Sequence, residues 1–262
     1  MTNSLRIFFI GGRLSYRALF TWLHPAIYIP TMLGGPFFQI LFFAYLGRHS
    51  GVRNDTFFVV GNAVQACSMA AIHGSTRTIA YERQFGTLAP VLATPANRAA
   101  LFLGRAVPLI LDGLLVSCFG LVVGRLLLDF QPSASSLPSL GVVMIVTVCA
   151  NTAFGMALGA VGMRARDVFF SSNLAYFLML LLCGANVPLE TLPGWLAAVG
   201  RALPLTHGIA AARRVATGAP LGDVAGLVLT ELAIGLTWGV LALALFRLFE
   251  LEARRRASLE TA

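Results

Sequence analysis

The chain has 262 residues, 57% hydrophobic and 11% charged, with a formal net charge of +8 and a mean hydropathy of +0.80. Soluble domains carry about 25% charge, so this composition leaves little sequence for a soluble domain and points to one polytopic membrane bundle. All 19 basic residues are Arg; without lysine, a phosphate-binding loop of the form G-x-x-x-x-G-K-[ST] cannot be written. The arginines sit in short loops and not on one basic face, which favours anionic lipid headgroups over nucleic acid as neighbours. Cys67, Cys118, Cys149 and Cys183 fall singly in different predicted spans, as small buried apolar residues do, and lack the spacing of a metal site or disulfide framework.

In residues 1–24, Arg6, Arg13 and Arg17 interrupt the apolar run, which argues against a cleavable signal. At 100° per residue these arginines fall within about 40° of one another, opposite Leu5, Phe8, Phe9, Tyr16, Leu19 and Phe20. That is the pattern of an amphipathic helix lying in the membrane interface. Six apolar stretches follow, near Pro25–Leu46, Phe57–Ile79, Ala99–Leu128, Pro138–Gly162, Val168–Val187 and Val224–Phe246. Each is close to the roughly 20 helical residues that cross a hydrocarbon core of about 30 Å. With six crossings and a cytoplasmic N-terminus, twelve arginines fall inside and six outside, Arg105 aside, so both termini are expected in the cytoplasm of a plasma-membrane protein. The expected organisation is one domain, 1–262, divided into an interfacial helix 1–24, a six-span bundle 25–248 and a cytoplasmic tail 249–262.

Two connections are longer than the rest, Arg77–Arg98 inside and Pro188–Asp223 outside, and function is sought there. In the first, Gly86 permits a sharp turn, Thr87 caps a short helix, Pro90 falls in its first turn and Pro95 ends it. The expected product is a two-turn helix held at the membrane, with Leu88, Val91 and Leu92 as an apolar contact and Glu82 and Arg83 as a charged one. A helix of that kind suits docking to a cytoplasmic partner.

The run Glu82-Arg83, Gly86-Thr87-Leu88, Leu92 and Thr94-Pro95 resembles the coupling-helix segment of permease subunits in ABC-2 type transporters, where E-R-x-x-G-T-L precedes T-P by a fixed interval. Ala89 stands where members often carry an acidic residue. The resemblance implies that the short helix enters a cleft of a separate ATP-binding subunit and transmits closure of the ATPase dimer to the spans. It also implies two copies of that subunit, ATP and Mg on the partner with no cofactor on this chain, and a second permease, the same or related.

A second block is similar to the P-x-x-x-L-P-x-W-L … N-P-L-T … R segment before the last span of many ABC-2 permeases. It runs from Val187 through Pro188, Pro193, Trp195 and Leu196 to Pro204, Leu205, Thr206, His207, Gly208 and Arg213, with Leu203 where Asn is common. Leu192–Leu203 is about 18 Å as helix, too short to cross. Its flanking prolines favour a short helix that dips into the outer leaflet and returns, with Trp195 at headgroup level. In the resembling family such re-entrant helices cap the outer end of the transport path.

Within the spans, Gln65, Asp112 and Glu231 are candidates for a transport path, because polar groups at membrane depth are costly and face the bundle interior. They serve equally as interhelical hydrogen-bonding groups. Gly155 and Gly159, in G-x-x-x-G spacing, read as a close helix contact. No metal-ligand spacing surrounds His73 or His207. The expectation is therefore an all-α, six-span permease of an ATP-driven exporter, with no catalytic residues of its own and a hydrophobic or amphipathic drug or antibiotic as cargo. A polysaccharide or lipid exporter of the same family is the main alternative. An ATP-independent channel or carrier would not need the docking helix, and a membrane-embedded enzyme would need a catalytic constellation such as H-E-x-x-H, which this chain lacks.

Overall fold

The structure, a computed structural model, describes residues 6, 9–13, 26, 29–51, 55–77, 98–128, 130–162 and 168–259, and every regular element among them is helical. Helix α1 (Gly34–His49) is entered through a π-helical turn, Ile29–Leu33; α2 (Asp55–Gln65) is followed by a π-helical turn, Met69–His73. Then come α3 (Arg98–Leu127), α4 (Leu137–Gly162), α5 (Val168–Leu182), α6 (Gly194–Ala202), α7 (Thr206–Ala216) and α8 (Ala225–Leu259). Local chemistry sets several boundaries. Pro138 falls in the first turn of α4, where its missing N–H is harmless. Gly51, at φ 79°, takes the left-handed conformation that closes α1, its N–H reaching the Arg48 carbonyl at 3.2 Å.

The long helices alternate in direction. Gln39 of α1 bonds Asn62 of α2, and Gly47 meets Phe58, so α1 and α2 are antiparallel. A Cβ on Gly120 of α3 would lie 2.9 Å from the Ala63 Cα and one on Gly113 3.4 Å from the Cys67 Cβ, which makes α3 antiparallel to α2 as well. Asn151 of α4 donates to the Ser68 hydroxyl at 3.2 Å and Gly155 lies on the Ala71 carbonyl, so α4 runs parallel to the second span. Ser172 of α5 bonds Thr76 while Asn186, just beyond α5, bonds Asn62. Gly235 and Gly239 of α8 follow Ala150 and Ala153 of α4 in the same order. The described residues 50–51, 130–136 and 183–224 consequently gather at one end of the bundle.

Small residues make these approaches possible. In lipid, helices gain nothing by hiding apolar surface from tails of equal apolarity, so association depends on close packing and interhelical hydrogen bonds. The core accordingly mixes Val59, Val60, Ala63 and Cys67 with Val143, Val148, Met179, Ile209 and Ala212. Gly155 acts as its spacing predicts, since a side chain there would run into the Ala71 backbone.

Among the described residues four helices are long and apolar enough to cross a membrane: Asp55–Arg77, Leu103–Leu127, Ala134–Gly162 and Leu221–Phe249. The first and fifth expected spans appear as the 16-residue α1 and the 15-residue α5. Of the expected interfacial helix, residues 6 and 9–13 are described and helical, and Gly12 sits close to the Gly104 carbonyl of α3. Glu82, Arg83, Gly86, Thr87, Leu88, Leu92, Thr94 and Pro95 all lie outside the described residues.

The segment before the last span departs from expectation in one respect. A single short helix is predicted there, and α6 matches it, bounded by Pro193 and by the extended Leu203 that precedes Pro204. A second short helix, α7, follows at once. Its apolar face, Ile209, Ala212 and Val215, is buried among the spans. Read in isolation, its two arginines and short length suggest a loop; tertiary burial supplies the stability that so short a helix lacks alone.

Candidate functional site

The best-defined polar constellation surrounds α7. At its N-terminus Leu205 is the capping residue, yet it has no side-chain cap and sits at φ 78°. A left-handed conformation costs a non-glycine residue roughly 1–2 kcal/mol. The first amides of a helix need acceptors, and here one comes from another helix. Glu231 of α8, 1% exposed, accepts the Leu205 N–H at 2.7 Å on Oε1 and the Gly208 N–H at 3.0 Å on Oε2. The partial positive charge of the helix start offsets part of the cost of burying this carboxylate. Gly208 lets α7 lie directly on Thr147 of α4, since a side chain there would collide with the Thr147 hydroxyl.

The other end of α7 is held by Arg213. Its Nη1 donates to the Gly184 carbonyl at 2.7 Å, its Nη2 to those of Ala185 (2.7 Å) and Phe57 (2.9 Å), and its Nε to Phe57 (3.1 Å). The guanidinium lies 3.5 Å from the centroid of the Phe57 ring. These carbonyls belong to the end of α5 and the start of α2, so one planar fork ties three helices. Gly184, at φ 73°, turns the chain after α5 so that its carbonyl faces the fork. Gly61 makes room: a side chain there would strike both the Ala185 carbonyl and Arg213.

Thr206 donates to the Gly200 carbonyl at 2.6 Å and Cys183 to that of Pro204 at 3.3 Å, which stitches α6 and the end of α5 to α7. Beneath this layer runs a second chain of bonds. The Tyr176 hydroxyl donates to the Gln39 carbonyl oxygen (2.8 Å), the Gln39 amide to the Asn62 oxygen (2.9 Å), and the Asn62 amide to the Asn186 oxygen (2.7 Å). It joins α1, α2, α5 and the start of the 183–224 segment.

The candidates read from sequence are distributed as follows. Pro204 and Glu231 come together through Leu205. Pro188 and Pro193 flank a 3-10 turn, Leu189–Thr191, and Trp195 is 70% exposed on α6, as a headgroup anchor would be. Asp112 is 6% exposed on the inner face of α3. Gln65 is fully buried, and both polar atoms of its amide lack hydrogen-bond partners among the described residues. It shares a helical face with Gly61 and Ser68, at 40° and 60°, and so looks toward α4 and α7. Tyr176, Gln39, Asn62 and Asn186 were not legible as a set, because their pairing spans three helices. Arg213 gave a partial signal as the last residue of the outer block, without its acceptors.

Helices of alternating direction, close-packed through glycine and alanine and joined by buried amide and guanidinium bonds at membrane depth, define a multi-pass membrane protein. A family model described as "ABC-2 type transporter" matches residues 14–216, and the chain belongs to that family. It is a membrane subunit of the transport class. It is 26% identical over 226 residues to a daunorubicin resistance ABC transporter permease protein of Streptomyces coeruleorubidus, covering 82% of this chain and 77% of the relative. It is 28% identical over 243 residues to a Mycobacterium tuberculosis protein named "Probable doxorubicin resistance ABC transporter permease protein", covering 84% and 81%. Similarity to an Escherichia coli protein named "Probable multidrug ABC transporter permease" is 26% over 172 residues, covering 65% of this chain but only 46% of that relative's length.

Proposed function

We propose that this chain is the permease subunit of an ATP-driven exporter of hydrophobic or amphipathic drug-like compounds. The observation that carries it is similarity over 82% and 84% of the chain to two relatives whose names tie them to daunorubicin and doxorubicin resistance. In this reading α1 and α5 complete six crossings, both termini are cytoplasmic in the plasma membrane, and the 183–224 end faces outward. Two copies of an ATP-binding subunit dock at Glu82, Arg83, Gly86, Thr87, Leu88, Leu92, Thr94 and Pro95, and a second permease completes the bundle. ATP and Mg stay on the partner. Any coupling requires that ATP bind two conformations of the assembly differently. Of the three path candidates, Glu231 is committed to backbone amides and serves to hold helices, whereas Gln65, whose amide has no partner among the described residues, offers a donor and an acceptor to cargo.

The test is co-purification of the permease with its ATPase and uptake of daunorubicin into inverted vesicles. Wild type should retain the ATPase and transport in an ATP-dependent manner. Glu82→Ala combined with Gly86→Pro should lose both while still inserting in the membrane. Undiminished transport without any ATPase would reject the reading.

A further inference from the structure

The two ends of α7 are fastened unequally. Its C-terminal half is gripped by four Arg213 hydrogen bonds and an aromatic ring, drawn from α5 and α2. Its start is tied to the adjoining α6 and the end of α5 by the Thr206 and Cys183 bonds, and to α8 by one carboxylate, at a residue whose backbone is held at φ 78°. Strain concentrated at a contact persists only while its surroundings impose it, and tends to mark the part that moves. Glu231 lies in the outer part of a helix that continues to Leu259, far beyond α7. A shift of α8 relative to α4 therefore changes the carboxylate's position before it touches the Arg213 fork, which among the described residues bonds only to carbonyls of α2 and of the chain just after α5.

We propose that Glu231 is the latch and Arg213 the hinge of a swinging outer helix. Release of the Leu205 and Gly208 amides by Glu231 lets the start of α7 lift from Thr147 while its end stays fixed. Glu231 is thus a positioning residue that sets when the outer end opens, and it makes no contact with cargo. The idea rests on the exporter reading above for its direction and its driving force, though the latch itself is a statement about this chain alone.

Two measurements test it. In the wild-type complex, hydrogen exchange of the 203–208 backbone should quicken at least fivefold under ATP turnover, while that of 212–216 should stay within twofold. In proteoliposomes, Glu231→Gln keeps the shape but offers an NH2 where one of the two amides needs an acceptor. It should raise outside labelling of a cysteine placed at His207 at least fivefold and lower the maximal export rate about tenfold, with the apparent KM for cargo within twofold. Glu231→Asp, which restores the charge, should recover part of both. Equal exchange changes at the two ends of α7, or none at either, would overturn the latch, as would unchanged labelling in Glu231→Gln. A shifted KM at constant maximal rate would also overturn it, by making Glu231 a cargo ligand. If the wild type binds no ATPase and exports nothing, the exporter reading fails, and the labelling result still decides the latch.

Discussion

Of an apolar 18-residue window in Asp55–Arg77, 78% is buried inside the chain; of the matching window in Leu221–Phe249, the more apolar of the two, only 17% is. In water the order would be reversed. Lipid tails accept Leu229, Leu236 and Val240 of α8 without cost, so an apolar face needs no protein cover. Asn62, Ser68 and Thr76 of the second span have no solvent in the hydrocarbon and bond to other helices. Hydropathy therefore marks that a segment crosses, and its polar exceptions mark which side faces protein.

If that contrast is right, substitutions in the second span and its clamps should be felt far more than those on α8. The largest effect is expected for Gly61→Val, whose side chain would enter the space of the Ala185 carbonyl and Arg213. A loss of about 3 kcal/mol or failure to fold should appear as a lost monodisperse peak in detergent. Next is Arg213→Ala, which strands the carbonyls of Phe57, Gly184 and Ala185; a loss of about 2–3 kcal/mol is expected in the unfolding midpoint. Arg213→Lys should restore less than half, because a single ammonium cannot reproduce the planar fork.

Asn62→Leu cuts the Tyr176–Gln39–Asn62–Asn186 chain in its middle. Interhelical hydrogen bonds in membranes are individually modest, so about 1 kcal/mol is expected by the same assay. At the small end, Leu236→Val on the open face of α8 should stay within about 0.5 kcal/mol. An effect of Leu236→Val as large as that of Asn62→Leu would break the contrast and show that a partner, and not lipid, covers α8.

Much of this architecture is legible in the sequence because a bilayer restricts what a chain can do. The helices α3, α4 and α6 begin and end within about two residues of the predicted limits, at Leu127, Leu137, Gly162 and Pro193, where polarity or proline interrupts an apolar run. The short helix α7 escaped because its signal is not periodic hydrophobicity alone. It carries Arg213 and Arg214 and lacks a capping side chain, and it becomes a helix by gaining Glu231 from 23 residues after Gly208. Glu231 itself stood out as an ionisable group at membrane depth, with path lining and helix holding equally open; the structure adds that its carboxylate accepts the Leu205 and Gly208 amides.

The order of residues alone determined that this chain lives in a membrane, roughly where it crosses, and which two connections carry family-like blocks, since these follow from local hydropathy, charge bias and turn chemistry. Only the tertiary structure decided that Arg213 binds carbonyls and not an acid, that Glu231 caps a helix on another part of the chain, and that Gln65 is buried with its amide unpartnered among the described residues. Those facts depend on which helices become neighbours and at what depth, and a buried polar group's role is set by the partners within about 3 Å of it, which no single segment specifies.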